Sequence, residues 1–251
     1  MSHGWRYVAA LAALLLLNTG HGETADRLTA VHALAPPLAG TADGSGFLER
    51  VVREAFRRIG FSLEISAVPA ERALINVDSG VDDLDLSRAS GFEAQYPHLV
   101  RVPEKTMDFE FVAFIPASAS PFRTDDWASL QDRTVAFVSG WKIFERHVTR
   151  SRETMRASSI ASLFEILKQN RAETVLLERW QGLQAARAAP VAVQVLEPPL
   201  ARAEMFIYLN QRHAALVPPL VAALRQMKAD GTYQRILRET LLPAVSRKID
   251  R

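Results

Sequence analysis

The 251-residue chain contains no cysteine, which excludes disulfide bonds, thiolate metal sites, a cysteine nucleophile and a lipid anchor on cysteine. Beyond residue 17 it has no apolar run near the length of about 20 residues that a membrane-spanning helix needs. The charge is nearly balanced, with 30 basic and 28 acidic residues, so net charge gives no reason to expect a nucleic-acid partner. Hydrophobic residues make up 48% of the chain, which predicts folded domains rather than disorder.

The common catalytic motifs are missing as well. The chain has no Gly-x-Ser-x-Gly elbow, no phosphate-binding loop and no dinucleotide-binding glycine pattern. Its six histidines show no pairing at helical or alternating spacing that would build a metal site. We therefore expect a binding protein rather than an enzyme, without a metal or a cofactor.

Residues 1–22 have the pattern of a secretory signal peptide. Arg6 supplies the positive charge, residues 7–17 form an unbroken apolar run, and Gly20 and Gly22 are small residues of the kind that signal peptidase needs. The alternative is a buried N-terminal helix. The sequence predicts a mature chain that starts near Glu23, or near Ala25, and that lies in the periplasm without a lipid anchor.

Short strand patterns alternate with helix patterns along the rest of the chain. Residues 47–59 carry apolar side chains on one helical face and charged side chains on the other, and Gly60 is the expected stop. This alternation favours an α/β fold with largely parallel strands. Further helices are predicted over residues 70–78, 141–148, 161–168 and 214–242, and strands over residues 28–34, 61–65, 83–87, 109–115, 133–138, 173–177, 191–196 and 205–209.

Two clusters of turn-forming residues, at 116–121 and at 198–199, suggest two domain boundaries and therefore a discontinuous first domain. Several short motifs along residues 27–245 occur in an order that resembles one family. They are a strand before Ala35-Pro36-Pro37-Leu38, a glycine-rich turn into a helix, residues 80–84, Tyr96-Pro97 before a strand, residues 133–140, residues 171–175, and Asp230-Gly231-Thr232-Tyr233 after residues 224–228. Together they resemble the extracytoplasmic solute-binding proteins of the type II periplasmic fold, close to the polar amino-acid class.

The resemblance implies a two-lobe α/β fold in which mixed sheets are flanked by helices and two hinge strands join the lobes. Lobe 1 would comprise residues 23–108 and 205–251, lobe 2 residues 109–204, and the crossings would fall near 108–111 and 202–205. A ligand would bind in the cleft, at the carboxyl ends of strands.

The function that the resemblance implies is capture of a small polar, carboxylate-bearing solute, an amino acid or a related compound, for an inner-membrane ABC permease. Such a protein is expected to be a monomer. One alternative is a sensor on the same fold that reports its ligand to a separate membrane signalling partner. The other is a lyase similar to cyclohexadienyl dehydratase, which would use Glu178 as its acid or base.

Arg88 is the first candidate ligand residue, because it follows a predicted strand at a place where similar proteins contact their ligands. A guanidinium there would clamp a carboxylate with two parallel hydrogen bonds. The alternative is a surface arginine that pairs with Glu93 or Asp85. Ser87 and Ser90 flank Arg88 and would donate to the same anion, or they are ordinary turn residues.

A second candidate anion site lies at the predicted helix start after residues 133–138. Backbone N–H groups at such a helix start attract anions. Gly140 would contribute its backbone, Trp141 would form a wall of the pocket, and Lys142 would add a positive charge. The alternative for Lys142 is a solvated helix face.

Glu178 stands where solute-binding proteins of the polar amino-acid class carry the acidic residue that pairs with the ligand ammonium. Because it ends an apolar strand, we expect its carboxylate to be exposed. The alternative is a surface salt bridge to Arg179 or Arg171. His32, at the end of the first strand, would hydrogen-bond a ligand or have a structural role. Arg72 and Trp180 are weaker candidates for ligand contact.

Overall fold

Strands and helices alternate along residues 26–245, the part of the chain that this computed structural model describes. The strands are β1 (Asp26–His32), β2 (Phe61–Ala67), β3 (Leu84–Ala89), β4 (Leu99–Arg101), β5 (Met107–Pro116), β6 (Thr134–Val138), β7 (Glu153–Ala157), β8 (Thr174–Glu178), β9 (Val193–Val195) and β10 (Ala201–Asn210). The helices are α1 (Phe47–Arg58), α2 (Ala70–Asp78), α3 (Lys142–His147), α4 (Ile160–Lys168), α5 (Arg179–Ala186), α6 (Val217–Ala229) and α7 (Thr232–Val245). Short 3-10 helices cover Trp127–Leu130 and Gln211–Leu216. The predicted signal peptide lies outside the described residues.

Helix α1 shows how closely a strong periodic pattern determines an element. Its apolar face is buried, and the Glu49 carboxylate accepts a hydrogen bond from the backbone N–H of Gly46 at 2.8 Å, which satisfies one of the free donors at the helix start. Gly60 has a φ of +87°, the left-handed conformation that commonly follows a helix end. The predicted start, the predicted face and the predicted stop are confirmed.

The strands form one continuous sheet in the order β2-β1-β3-β10-β5-β8-β6-β7, with β4 paired to β10 and β9 paired to β5. The pairs β1·β2, β1·β3, β6·β7 and β6·β8 are parallel. Every antiparallel pair of the described residues involves β5 or β10. The mixed sheets implied by the resemblance are present, whereas the expectation of largely parallel strands is wrong, because β5 and β10 run against the neighbours on both sides.

The buried residues form separate cores on the two sides of the β5–β10 pair. On one side a core includes residues of β1, β3, α1, α6 and α7, and on the other side β6 and β8 contribute to two cores, one with α3 and one with α4. β5 and β10 contribute to both sides, so these two paired strands connect the halves of an α/β fold. The proposed lobe limits at 108/109 and 204/205 fall inside these strands, and as domain limits they stay a prediction.

Several local features differ from the sequence expectations. The helix predicted over residues 214–242 is divided, because Asp230 and Gly231 separate α6 from α7 and Gly231 has a φ of +80°. β7, α5 and the 3-10 helix Trp127–Leu130 were not predicted. Among the described residues no helix is both long enough and apolar enough to cross a membrane.

Candidate functional site

Most of the predicted ligand residues lie where strands of the two halves end. His32 ends β1, Arg88 lies near the end of β3, and Glu178 ends β8. Gly140 follows β6 by two residues. Because β1 is parallel to β3 and β6 is parallel to β8, these residues lie at the carboxyl edge of each parallel set, where α/β proteins bind ligands. We call these strand ends and the turns that follow them the strand-end site.

Arg88 has an internal partner. Its Nε donates to Asp85 Oδ2 at 2.6 Å and its Nη2 donates to the carbonyl oxygen of Ala70 at 2.6 Å, while the side chain is only 13% exposed. One N–H of the guanidinium therefore binds Asp85, as the alternative had it, but Arg88 is not the surface arginine of that alternative, and its contact with a ligand stays a prediction. Burial raises the pKa of Asp85, although the Arg88 charge and hydrogen bond act in the opposite direction.

A β-bulge brings Asp85 and Arg88 together. Arg88 pairs with Phe206 of β10 and Asp85 pairs with Tyr208, so β3 has one residue more than β10 over this stretch. In a regular strand, residues three apart point to opposite faces, and the extra residue places these two on the same face.

Ser87 lies within this bulge, and its Oγ is buried without a hydrogen-bond partner among the described residues. Ser90 follows β3 and is exposed. Of the two serines, Ser87 thus has the hydroxyl whose hydrogen-bonding capacity is unused inside the protein. A buried unpaired hydroxyl is costly unless another group binds it.

His32 is buried and both of its ring nitrogens face acceptors. Nδ1 lies 2.9 Å from the carbonyl oxygen of Ala33, and Nε2 lies 3.4 Å from Glu49 Oε1. Desolvation lowers the pKa of His32, but the Glu49 and Ala33 hydrogen bonds and the charges of Glu49 and Asp85 outweigh it and raise the pKa above 6.5. His32 therefore ties the end of β1 to the start of α1, which is the structural alternative, and its ring nitrogens are already occupied.

The predicted anion site at the start of α3 is filled by a side chain of the same helix. Glu145 accepts from the backbone N–H of Gly140 at 3.0 Å and from Lys142 Nζ at 2.9 Å. Lys142 is 83% exposed, in agreement with the solvated alternative. Trp141 is half-buried and stacks on Phe144 with ring centroids 5.5 Å apart, so it covers the core of its own half.

Glu178 is fully buried, so the prediction that its carboxylate is exposed is wrong. Its Oε2 accepts from the backbone N–H of Gln181 at 3.0 Å and caps α5, while its Oε1 has no partner among the described residues. Burial raises the pKa of Glu178 to about 7. Among the described residues Glu178 forms no salt bridge to Arg171 or Arg179, and Arg179 Nη1 binds Glu197 at 2.7 Å while its Nε binds Glu110 at 2.5 Å.

Two further residues complete this region. Trp180, in the first turn of α5, packs against buried residues of the other half and so brings the β8 end close to the core around β1 and α1. Arg72, in the first turn of α2, is exposed and has no ion pair among the described residues. It follows Ala70, whose carbonyl oxygen accepts from Arg88.

Charge balance separates the buried acids of this site into two kinds. Glu49 and Asp85 face His32 and Arg88, so this group is neutral when His32 is protonated. Glu178 forms no ion pair with any described residue, although the charge of Arg179 acts to lower its pKa. The described residues contain no group of three or more His, Asp or Glu side chains that would hold a metal ion.

The strand order, the paired crossing strands and the polar strand ends define the two-lobe fold of the type II periplasmic binding proteins. Two similar structures are a mutant of ArgBP from T. maritima, at 19% identity and a TM-score of 0.66, and AbpA from Streptococcus pneumoniae, at 13% identity and a TM-score of 0.68. The matches cover 85% of this chain and 94% of ArgBP, and 88% of this chain and 97% of AbpA.

A similar sequence is an uncharacterized protein from Shewanella oneidensis, which is 23% identical over 201 residues, 74% of this chain and 73% of that protein. No protein-family model matches the chain. At these identities the comparisons show the fold.

Proposed function

We propose that the protein is an extracytoplasmic solute-binding protein that captures a small polar solute carrying an amino group, an amino acid or a related compound, at the strand-end site. The observation that carries the proposal is Glu178. A buried carboxyl oxygen without a donor, at a strand end and beside a tryptophan that contacts the other half, is an incomplete hydrogen-bonding arrangement that a bound ammonium would complete.

The opposite end of the solute would meet the groups around Arg88. Arg88 Nη1 has no partner among the described residues, and the Ser87 hydroxyl is also unpaired there. Arg72, whose guanidinium has no partner among the described residues, lies two residues after Ala70, to which Arg88 donates. A carboxylate would therefore be held by single hydrogen bonds from several groups and not by the two-pronged clamp that the sequence predicted.

The partner and location follow from the same proposal. AbpA is an amino acid ABC transporter substrate-binding protein and its structure holds L-arginine. By analogy we propose a periplasmic monomer that delivers its solute to an inner-membrane ABC permease.

The test is a calorimetric and thermal-shift screen of amino acids, amines and small organic acids against the purified protein. We expect saturable binding of at least one amino-containing solute. Glu178→Gln keeps the shape of the side chain and its bond from Gln181, and it should weaken binding at least about tenfold, because a charge-assisted hydrogen bond contributes about 1.5–3 kcal/mol.

Glu165→Gln is the matched control, since Glu165 is an exposed residue of α4 and the same charge is lost there. It should leave the affinity unchanged. Failure of every amino-containing solute at millimolar concentration, or equal affinity of Glu178→Gln and the unmodified protein, would contradict the proposal.

The second candidate function is acid–base catalysis on the same fold. A carboxyl with a pKa of about 7 holds or releases a proton near neutral pH, which suits a general acid or base. Turnover of prephenate or arogenate by the purified protein, lost in Glu178→Gln and retained in Glu165→Gln, would favour the lyase over the binding protein. Binding without turnover would exclude it for these substrates.

A further inference from the structure

A cavity lies at the opposite edge of the sheet from the strand-end site. It has a volume of about 260 Å³ and lies at the amino ends of β6 and β8, next to the last residues of β5. β6 has five residues, so this cavity and the turn at Gly140 are separated by about 16 Å of strand. Its apolar wall includes Ile115, Phe122 and Ala172, and its polar lining includes Ser120, Arg133 and Glu173.

Arg133 is the unusual residue of this cavity. Its guanidinium stacks on the Phe122 ring, with its central carbon 3.4 Å from the ring centroid. Among the described residues its side chain has no ion pair and no hydrogen bond. The stacking fixes the orientation of the guanidinium, and its N–H groups are left available to an anion.

The acidic residue of the cavity does not supply that anion. Glu173 accepts from Arg152 at 3.0 Å and from the backbone N–H of Thr134 at 3.1 Å, so its charge is compensated by other groups. The charge of Arg133 also helps to lower the pKa of Glu173, but among the described residues the two side chains form no ion pair, so the N–H groups of Arg133 stay unused.

The segment that leads to Phe122 is held by the half-buried side-chain amide of Gln194. The side-chain nitrogen of Gln194 lies within hydrogen-bond distance of the carbonyl oxygens of Pro116, Ala117 and Ala119, the closest at 2.8 Å. The segment between β5 and Phe122 is thus fixed against β9, and the cavity has a defined shape before any ligand arrives.

We propose that this cavity is a second ligand site, which binds a small carboxylate with an apolar body: the carboxylate on Arg133 and the body against Ile115 and Ala172. The volume is below the range of about 300–1,000 Å³ that is typical of pockets for drug-sized ligands, so the ligand is smaller than these. This site is independent of the proposed function of the strand-end site.

Benzoate is the probe, and two-dimensional amide NMR of the full mature chain is the measurement. Titration should give saturable shifts confined to residues 115–122, 133–134 and 170–173. Arg133→Gln should raise the dissociation constant at least about tenfold, as expected for the loss of a charge-assisted hydrogen bond. Arg171→Gln removes the same charge from an exposed neighbour outside the lining and should leave the dissociation constant unchanged.

The titration is repeated in Glu178→Gln, where the same shifts and the same dissociation constant are expected. That result would support the second site whether or not the strand-end site binds an amino-containing solute. Shifts centred on the turns after β6 and β8, equal weakening by Arg133→Gln and Arg171→Gln, or no saturable shift up to about 10 mM benzoate, a concentration suited to weak ligands, would each overturn the proposal.

Discussion

Replacing Glu178 by glutamine should stabilise the ligand-free protein at neutral and alkaline pH. Glu178 is fully buried and forms no ion pair among the described residues, and burial raises the pKa of its carboxyl from 4.5 to about 7. Below pH 4.5 the carboxyl is protonated in the folded and in the unfolded chain and contributes no pH dependence. Between pH 4.5 and about 7 the unfolded chain loses the proton first, so the free energy of unfolding falls as the pH rises.

The magnitude follows from the two pKa values. A difference between 4.5 and about 7 corresponds to about 3 kcal/mol once the pH is above 7. Glutamine is uncharged at every pH and retains an oxygen for the Gln181 bond, so Glu178→Gln should gain up to this amount relative to the unmodified protein. For a chain of this size that is an increase in Tm of about 6–12 °C at pH 8, and little change at pH 4.

Urea unfolding followed by circular dichroism from pH 4 to 8 measures the difference, with Glu165→Gln as the exposed control. The stability gain of Glu178→Gln should grow through the window between 4.5 and 7 and level off above it. A gain that is the same at all pH values would refute the reasoning, since it would mean that the carboxyl ionises as easily in the folded protein as in the unfolded chain.

The remaining predictions concern His32 and Gly182. The raised pKa of His32 stabilises the fold below pH 6.5, and this contribution is lost as the pH rises past the folded value. An NMR titration of the imidazole should therefore give a midpoint above 6.5, and His32→Gln should cost more stability at pH 6 than at pH 9; equal losses would exclude the Glu49 pairing. A Cβ at Gly182 would overlap the Phe114 ring, so Gly182→Ala should lower the free energy of unfolding, measured in urea, by about 1–3 kcal/mol. An unchanged midpoint would show that α5 packs less closely on β5.

The elements that sequence reasoning located well are those with strong patterns. Helix α2 has the predicted bounds, and α1 and β5 differ from them by two residues or fewer at each end. β7 was missed because Glu153–Ala157 is a largely polar strand at the edge of the sheet, with β6 as its one neighbour, so it carries no apolar pattern.

The site was harder to predict because its contacts depend on tertiary structure. The pairing of Arg88 with Asp85 requires the bulge opposite β10, which regular alternation along β3 does not indicate. The burial of Glu178 depends on the packing of α5 and its tryptophan against the other half. An aspartate between Leu84 and Leu86 was the available signal for Asp85, since a buried acid needs a partner.

The pairing of β5 with β10 has a mechanical consequence for recognition. Because β5 and β10 are hydrogen-bonded side by side, they resist sliding past each other. The two halves therefore separate mainly by a hinge rotation about this pair of strands. Glu178 pairs with Phe111 of β5 and so lies next to the hinge strands. It would therefore move little during such a rotation. Groups farther from the hinge strands, such as those after β6, would move over larger distances. In the proposed binding function, the contact to Glu178 would therefore be in place before the halves close, and the contacts farther from β5 and β10 would form during closure.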